Sequence, residues 1–280
     1  MIRPLPLAGK PRVMGVLNLT PDSFSDGGRF GSPEEAVLAG QEMEAAGASV
    51  IDVGAVSTRP GAAPVDPADE WNRLEPVLAS LRKAVALPLS LDTSSAEVLK
   101  KALKVGVDLV NDVTGLSGDP NMAQVVAESE RPVILMHMRG TPATMQDDPR
   151  YEDAAREISE KLQRMATRAE ECGVRSDRIL VDPGIGFGKR LQDNLALLSS
   201  LSEFVDLPYP VVLGCSRKAF LGDVTGRGVS DRDHATTATT VLSALAGVDY
   251  LRVHHVAAAV DALAVVEAVS GSEAVLRPLH

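Results

Sequence analysis

Short apolar runs that end in a polar residue recur along the chain, and each is followed by a stretch with helical spacing. The first run, RVMGVLNL over 12–19, leads through a long loop to a helix predicted from Pro33 to about residue 46. Ser32 suits its N-cap, Pro33 its first turn and Gly47 its exit. Further runs lie at 49–55, 87–93, 108–114, 132–138, 179–182, 210–215 and 250–256. Helices are expected over about 67–85, 95–104, 120–128, 151–172 and 191–201, from 217, over 231–246, and from the last run to about 270. Strands alternating with helices pair in parallel, and near-continuous apolar runs such as VILM and VVLG are what a sheet covered on both faces requires. Eight such units predict a closed (β/α)8 barrel, one domain over 1–280. An open doubly wound sheet is the runner-up, but no G-x-G-x-x-G follows the first run.

Composition narrows the function classes. With 45% hydrophobic and 24% charged residues in 280, the chain can bury a large core, which argues against disorder. A formal charge of −10 and no basic stripe argue against a nucleic-acid partner, while leaving an anionic small molecule open. Cys172 and Cys215 cannot make a disulfide framework and read as free thiols. No apolar run has transmembrane length, and the first ten residues lack a signal-peptide core, so a cytoplasmic protein is expected.

Catalytic groups of such barrels sit at the C-terminal strand ends. Those positions here hold Asn18, Asp52, Asp92, Asn111, His137, Asp182, Ser216 with Lys218, and Arg252 with His254. Any one could be a satisfied structural residue; together they outline a polar floor, because buried carboxylates and amides are costly without partners. Arg252 and His254 are two apart on a strand, share a face, and make a natural anion clamp. His255 then points away, and Arg217 reads as a salt-bridge residue. Ser216 to Lys218 open a helical turn at a place where barrels often hold phosphate, so a phosphorylated substrate is expected. The segment Asp182–Lys189 (DPGIGFGK) lacks phosphate-loop spacing; its glycines read as letting backbone approach a flat ligand, with Phe187 as lid or packing residue. His137 reads as structural rather than a ligand, and Met136 and Met138 as core or a soft wall. Cysteine and histidine clusters of zinc-site type are absent. A hard divalent ion that keeps its waters needs only one or two protein oxygens, and Asn18 offers one.

An ordered set of motifs resembles the bacterial dihydropteroate synthases over essentially the whole length. It comprises MGVLNLTPDSFSDGG from Met14, STRPG from Ser57, Asp92-Thr93, Asn111-Asp112, Met136-His137-Met138, Asp182–Lys189, Ser216-Arg217-Lys218 and Arg252-Val253-His254. The resemblance implies a (β/α)8 barrel, usually a homodimer, that joins 6-hydroxymethyl-7,8-dihydropterin pyrophosphate to p-aminobenzoate with help from Mg2+, and that sulfonamides target. By the same resemblance Asp92, Asn111, Asp182 and Lys218 read the pterin, with Met136 and Phe187 packed near the ring. Asn18, Arg252 and His254 hold the pyrophosphate, with Asn18 on the metal. Phe24, Thr58, Arg59, Pro60, Phe187 and Ser216 form the p-aminobenzoate site, and Asp22 in the first loop reaches toward the leaving-group site. Asp92, Asp182, Lys218, Arg252 and His254 are the implied catalytic set, for a dissociative reaction. Ala219 stands where some relatives have a hydroxyl, which leaves a p-aminobenzoate carboxylate contact there to backbone N–H or Ser216. Competing readings are a noncatalytic pterin-binding relative and a methyltetrahydrofolate methyltransferase-type barrel. Neither needs a pyrophosphate clamp together with STRPG.

Overall fold

The structure, a computed structural model, describes residues 11–19 and 32–270. Its strands are β1 (Arg12–Asn18), β2 (Val50–Gly54), β3 (Leu89–Asp92), β4 (Leu109–Asp112), β5 (Val133–Met136), β6 (Ile179–Asp182), β7 (Val212–Leu213) and β8 (Tyr250–Val253). The helices are α1 (Pro33–Ala45), α2 (Pro67–Ala84), α3 (Ala96–Val105), α4 (Met122–Ser129), α5 (Ala154–Glu171), α6 (Leu191–Ser199), α7 (Ser202–Val205), α8 (Ala219–Thr225), α9 (Asp233–Leu245) and α10 (Val256–Ser270). All the strands pair in parallel in the order β6-β5-β4-β3-β2-β1-β8-β7. A bridge between Val181 and Val211 joins the two ends and brings the sheet round into the expected barrel. Among the described residues no helix is long and apolar enough to cross a membrane.

Several strands are shorter than the apolar runs that predict them: β4, β5 and β8 end at Asp112, Met136 and Val253, and Val256 already belongs to α10. Two further elements differ more, each for a local reason. β7 is two residues long instead of six. Pro210 has no N–H to donate, and the N–H of Val211 goes to the Asp249 carboxylate at 2.8 Å instead of to a neighbouring strand. The helix expected over 191–201 stops at Ser199 and restarts at Ser202. The Ser199 hydroxyl bonds back to the Ala196 carbonyl, and Ser200 leaves helical geometry at φ −121°. Elsewhere the local signals act as read: the Ser32 hydroxyl accepts from the Glu35 N–H at 3.3 Å, and Gly47 exits α1 at φ +92°.

The strand period of two sorts the core into layers. Met14, Val50, Leu109, Ile134, Leu180, Val212 and Tyr250 form one buried cluster inside the barrel. The alternate residues, among them Ile51, Leu91, Val110, Leu135, Val181 and Leu251, join Leu74, Leu78, Leu99, Ile158 and Leu162 of the helices in a second core. Counting two residues onward from Val50, Leu109, Ile134, Leu180 and Tyr250 reaches Asp52, Asn111, Met136, Asp182 and Arg252. The residues that carry chemistry are therefore the next inward layer, standing on an apolar plug.

Candidate active site

The layer above the plug is tied together around Asp52 and Arg252. Arg252 donates from Nε to Asp52 Oδ2 at 2.7 Å and from Nη2 to Asp92 Oδ2 at 2.9 Å. Asn111 donates its side-chain N–H to the same Asp52 oxygen at 3.0 Å, which leaves its carbonyl oxygen as an acceptor. Strand register sets Asn18 beside Gly54, Gly54 beside Asp92 and Asp92 beside Asn111. Gly54 keeps this floor open: a Cβ there would lie 3.1 Å from that of Asp92. Across the barrel, register sets Met136 beside Asp182. Lys218 stands with Nζ 3.8 Å from the centroid of the Phe187 ring, a cation–π contact on the apolar cluster of Val113, Met136, Met145 and Phe187.

Burial dominates the electrostatics. It pushes Asp92 up to about 7 despite Arg252 beside it, with the neighbouring Asp52, Glu70 and Asp112 charges adding to the rise. Asp182 is raised by burial, against the pull of the Gly184 N–H at 2.7 Å and of Lys218. Burial brings Lys218 down to about 8, with Asp182 opposing the shift. Arg252 is raised, because Asp52 and Asp92 together outweigh its desolvation.

The loop after β6 is held by groups that the sequence reading left without a role. Lys189, buried, donates to the carbonyls of Gly184 at 2.8 Å and Phe187 at 3.0 Å, and lies 3.0 Å from His137 Nδ1. Asn194 accepts from the Gly186 N–H at 2.7 Å, and Tyr151 donates to the Gly188 carbonyl at 2.8 Å. Burial and the Lys189 charge push His137 down to about 2, and burial takes Lys189 well below its ordinary value. His137 is thus spent inside the protein. The loop glycines also serve the protein before any ligand. Gly184, Gly186 and Gly188 have φ of +67°, +82° and +65°. A Cβ on Gly184 would collide with the His137 carbonyl oxygen, and one on Gly188 would lie 2.7 Å from that of Arg139. Gly184 and Gly188 thus pack closely on the loop after β5, while Gly186 faces the Lys218 side chain. Gly184→Ala is expected to destabilise the protein by about 2–4 kcal/mol, from overpacking and left-handed backbone together. Thermal unfolding reads this, and an unshifted midpoint would refute the packing argument.

The other candidates fall as follows. Ser216 Oγ lies 2.9 Å from His254 Nδ1 and accepts the His254 backbone N–H at 3.2 Å, so the hydroxyl expected to meet p-aminobenzoate is engaged by the imidazole. The Arg252 guanidinium turns to two carboxylates, Asp52 and Asp92, while the His254 imidazole lies against Ser216. Arg217 makes a bidentate pair with Asp233 at 2.7 and 2.8 Å, and His255, mostly exposed, lies 3.7 Å from the same carboxylate. Thr58, Arg59 and Pro60 lie on the loop leaving β2, with Arg59 and Pro60 exposed. That loop is fastened to the loop after β5 by Gly61 N–H to Pro142 O at 2.9 Å. Phe24 and Asp22 lie outside the described residues. Cys172 and Cys215 are free thiols.

Residues 14–254 match the family described as pterin binding enzyme. The Escherichia coli K12 protein named dihydropteroate synthase is 43% identical over 258 residues, 92% of this chain and 91% of that one. A solved Yersinia pestis dihydropteroate synthase with a sulfonamide drug complex superposes with a TM-score of 0.90 at 39% identity, covering 94% of this chain and 95% of that one. A Xanthomonas albilineans dihydropteroate synthase in complex with 7,8-dihydropteroate gives 0.85 at 40% identity, covering 94% and 95%. The inward polar layer and these likenesses lead to one assignment: the chain belongs to the pterin binding enzyme family, among its dihydropteroate synthases.

Proposed function

We propose that this chain condenses 6-hydroxymethyl-7,8-dihydropterin pyrophosphate with p-aminobenzoate to give 7,8-dihydropteroate and pyrophosphate. The observation that carries the reading is the inward set of Asp92, Asn111, Asp182 and Lys218, in a chain 43% identical to a dihydropteroate synthase over 92% of its length. The X. albilineans relative holds the product itself, 7,8-dihydropteroate.

The pterin edge carries a 2-amino group and a ring N–H, so it needs acceptors. Asp92, Asp182 and the Asn111 carbonyl supply them, while Lys218 donates to a pterin acceptor. Phe187 and Met136 form the apolar wall against the ring. Arg252 has five N–H donors, of which Asp52 and Asp92 take two. The rest, with His254, face the pyrophosphate. Thr58, Arg59 and Pro60 bound the p-aminobenzoate site. The C–O bond to pyrophosphate breaks first and its electron pair leaves with that group. The dihydropterin spreads the positive charge, and Asp92 and Asp182 stabilise it. The arylamine nitrogen, neutral at pH 7, then attacks the methylene carbon and loses a proton to solvent or pyrophosphate.

Among the described residues no cluster of three or more His, Cys, Asp or Glu could cage a metal. Asn18, half-buried at the end of β1, offers an amide oxygen, which fits a hydrated Mg2+ that takes its other ligands from water and phosphate. The chemistry such an ion supplies is neutralisation of charge on the leaving group. The same proposal includes a homodimer. Leu242, Leu245 and Val265 are 54%, 52% and 63% exposed on the adjacent α9 and α10, an apolar face that a second copy would cover.

The test is to supply both substrates with Mg2+ and follow pyrophosphate release alongside dihydropteroate by mass. Product that requires both supports the synthase. Pterin binding without product would favour the noncatalytic relative. A pH profile adds a second check. Asp92 accepts most strongly from the pterin when ionised, and Lys218 donates best when protonated. Affinity for a phosphate-free hydroxymethylpterin should therefore rise as pH passes about 7 and fall above about 8. Calorimetry across that range reads it, and a flat profile from pH 5 to 9 would remove both residues from the pterin edge.

A further inference from the structure

We propose that Asp52 is the positioning residue of this site, limiting the Arg252 guanidinium to a single nitrogen on Asp92 and setting which face Asn111 shows to the substrate. The inference deepens the synthase reading and rests on it. Asp52 is fully buried, so it touches no substrate. One of its oxygens, Oδ2, receives Arg252 Nε at 2.7 Å and Asn111 Nδ2 at 3.0 Å, linking β2 to β8 and to β4.

Each bond selects one of two arrangements. An arginine facing a carboxylate ordinarily closes on it with two parallel N–H bonds. Here Arg252 gives Asp92 only Nη2, because Nε is held by Asp52. Asp92 therefore keeps one oxygen clear of the guanidinium for the pterin, and the arginine keeps Nη1 clear for the leaving group. An amide side chain, in turn, can present either its N–H or its carbonyl. With the N–H drawn to Asp52, Asn111 presents the acceptor that a pterin N–H requires. Remove the Asp52 charge and both choices relax: the guanidinium closes on Asp92, and Asn111 is free to turn. The carboxyl of Asp92 then feels Arg252 more and Asp52 not at all, with Glu70, Asp112 and Lys218 as the other charged groups around it.

Asp52→Asn, nearly the same size, is the test. A misplacement of this kind should raise KM for the pterin pyrophosphate and lower kcat, with kcat/KM down about 100-fold, while KM for p-aminobenzoate stays within about twofold. The acid limb of the pterin-binding profile should move to lower pH, since the Asp52 charge helps raise Asp92. Arg252→Lys, which keeps the charge but cannot form the fork, should lose a similar factor. The double variant should then be little worse than either single one. Should Asp52→Asn fail to fold, Asp52→Ser takes its place in the same measurements. A crystal structure of the variant gives an answer independent of turnover. Arg252 paired through two nitrogens with Asp92 supports the proposal; an unmoved Arg252 overturns it. Wild-type protein without synthase activity would defeat the functional reading. Normal wild-type activity with an equally active Asp52→Asn, or with both KM values raised alike, would defeat this one.

Discussion

Lys218→Met is expected to leave a folded barrel whose kcat/KM for the pterin pyrophosphate has fallen about 10²–10³-fold, the usual loss when one donor is removed from a site of developing charge. The substitution isolates the ammonium. The lysine stem packs beside Gly186, where an added Cβ would lie 3.3 Å from Lys218 Cδ, and its head sits 3.8 Å from the Phe187 centroid. Methionine keeps the stem and its contact with the ring. Burial already works against the charge, lowering Lys218 to about 8, so its removal should not unfold the protein. What is lost is the donor to the pterin and the counter-charge that offsets the rise of Asp182. KM for p-aminobenzoate should change little. Lys218→Arg should not rescue, because its longer, larger head moves the N–H donors away from the point that the compact ammonium holds between Gly186 and Phe187. Steady-state kinetics with a melting curve on the same sample decide the matter, and unchanged kcat/KM would take Lys218 out of the pterin site.

Arg252→Met should lose both activity and stability. Arg252 is the cation in hydrogen-bond contact with Asp52, which is fully buried, and with Asp92, whose side chain is 13% exposed. Removing one partner of a buried ion pair leaves a charge unmatched and destabilises by about 3–5 kcal/mol. For a chain of this size that lowers Tm by roughly 10 °C. The loss should depend on pH. Arg252 holds Asp92 down, so without it the folded-state value of Asp92 rises further above that of the unfolded chain. The folded state then keeps a proton that the unfolded state releases. Stability is therefore retained in acid and lost as pH rises toward and past neutrality. Adding Asp52→Asn to Arg252→Met should restore part of the loss, because it removes the stranded charge. Melts of the single and double variants from pH 5 to 8 read this. A single variant as stable as the parent at pH 8 would mean that the network contributes no net stability.

Much of the site was legible because a parallel strand has a period of two and its end is marked by the first polar residue. That alone brings Asp92, Asn111, Asp182 and Arg252 to one level and one face. The motifs then linked that level to a pterin. Lys189 and Asn194 were not legible in this way. Their partners include the Gly184 carbonyl and the Gly186 N–H of the β6 loop, at separations outside the capping and turn patterns that a sequence shows. Asp52 was visible as a strand-end carboxylate but without a role, since its role is a choice between partners on other strands. The limits of β7 were missed because they depend on a side chain from another element, the Asp249 carboxylate that takes the Val211 N–H.

Local order therefore determined the number and kind of elements, the inward layer and the list of chemical groups, because strand parity, helix caps and apolar runs act over a few residues. Closure of the barrel decided who meets whom. Asp52 and Arg252 are two hundred residues apart and form an ion pair at 2.7 Å only because β8 pairs with β1, which pairs with β2. The same closure excludes water, so burial, and not the residue types themselves, draws Asp92 up to about 7 and Lys218 down to about 8.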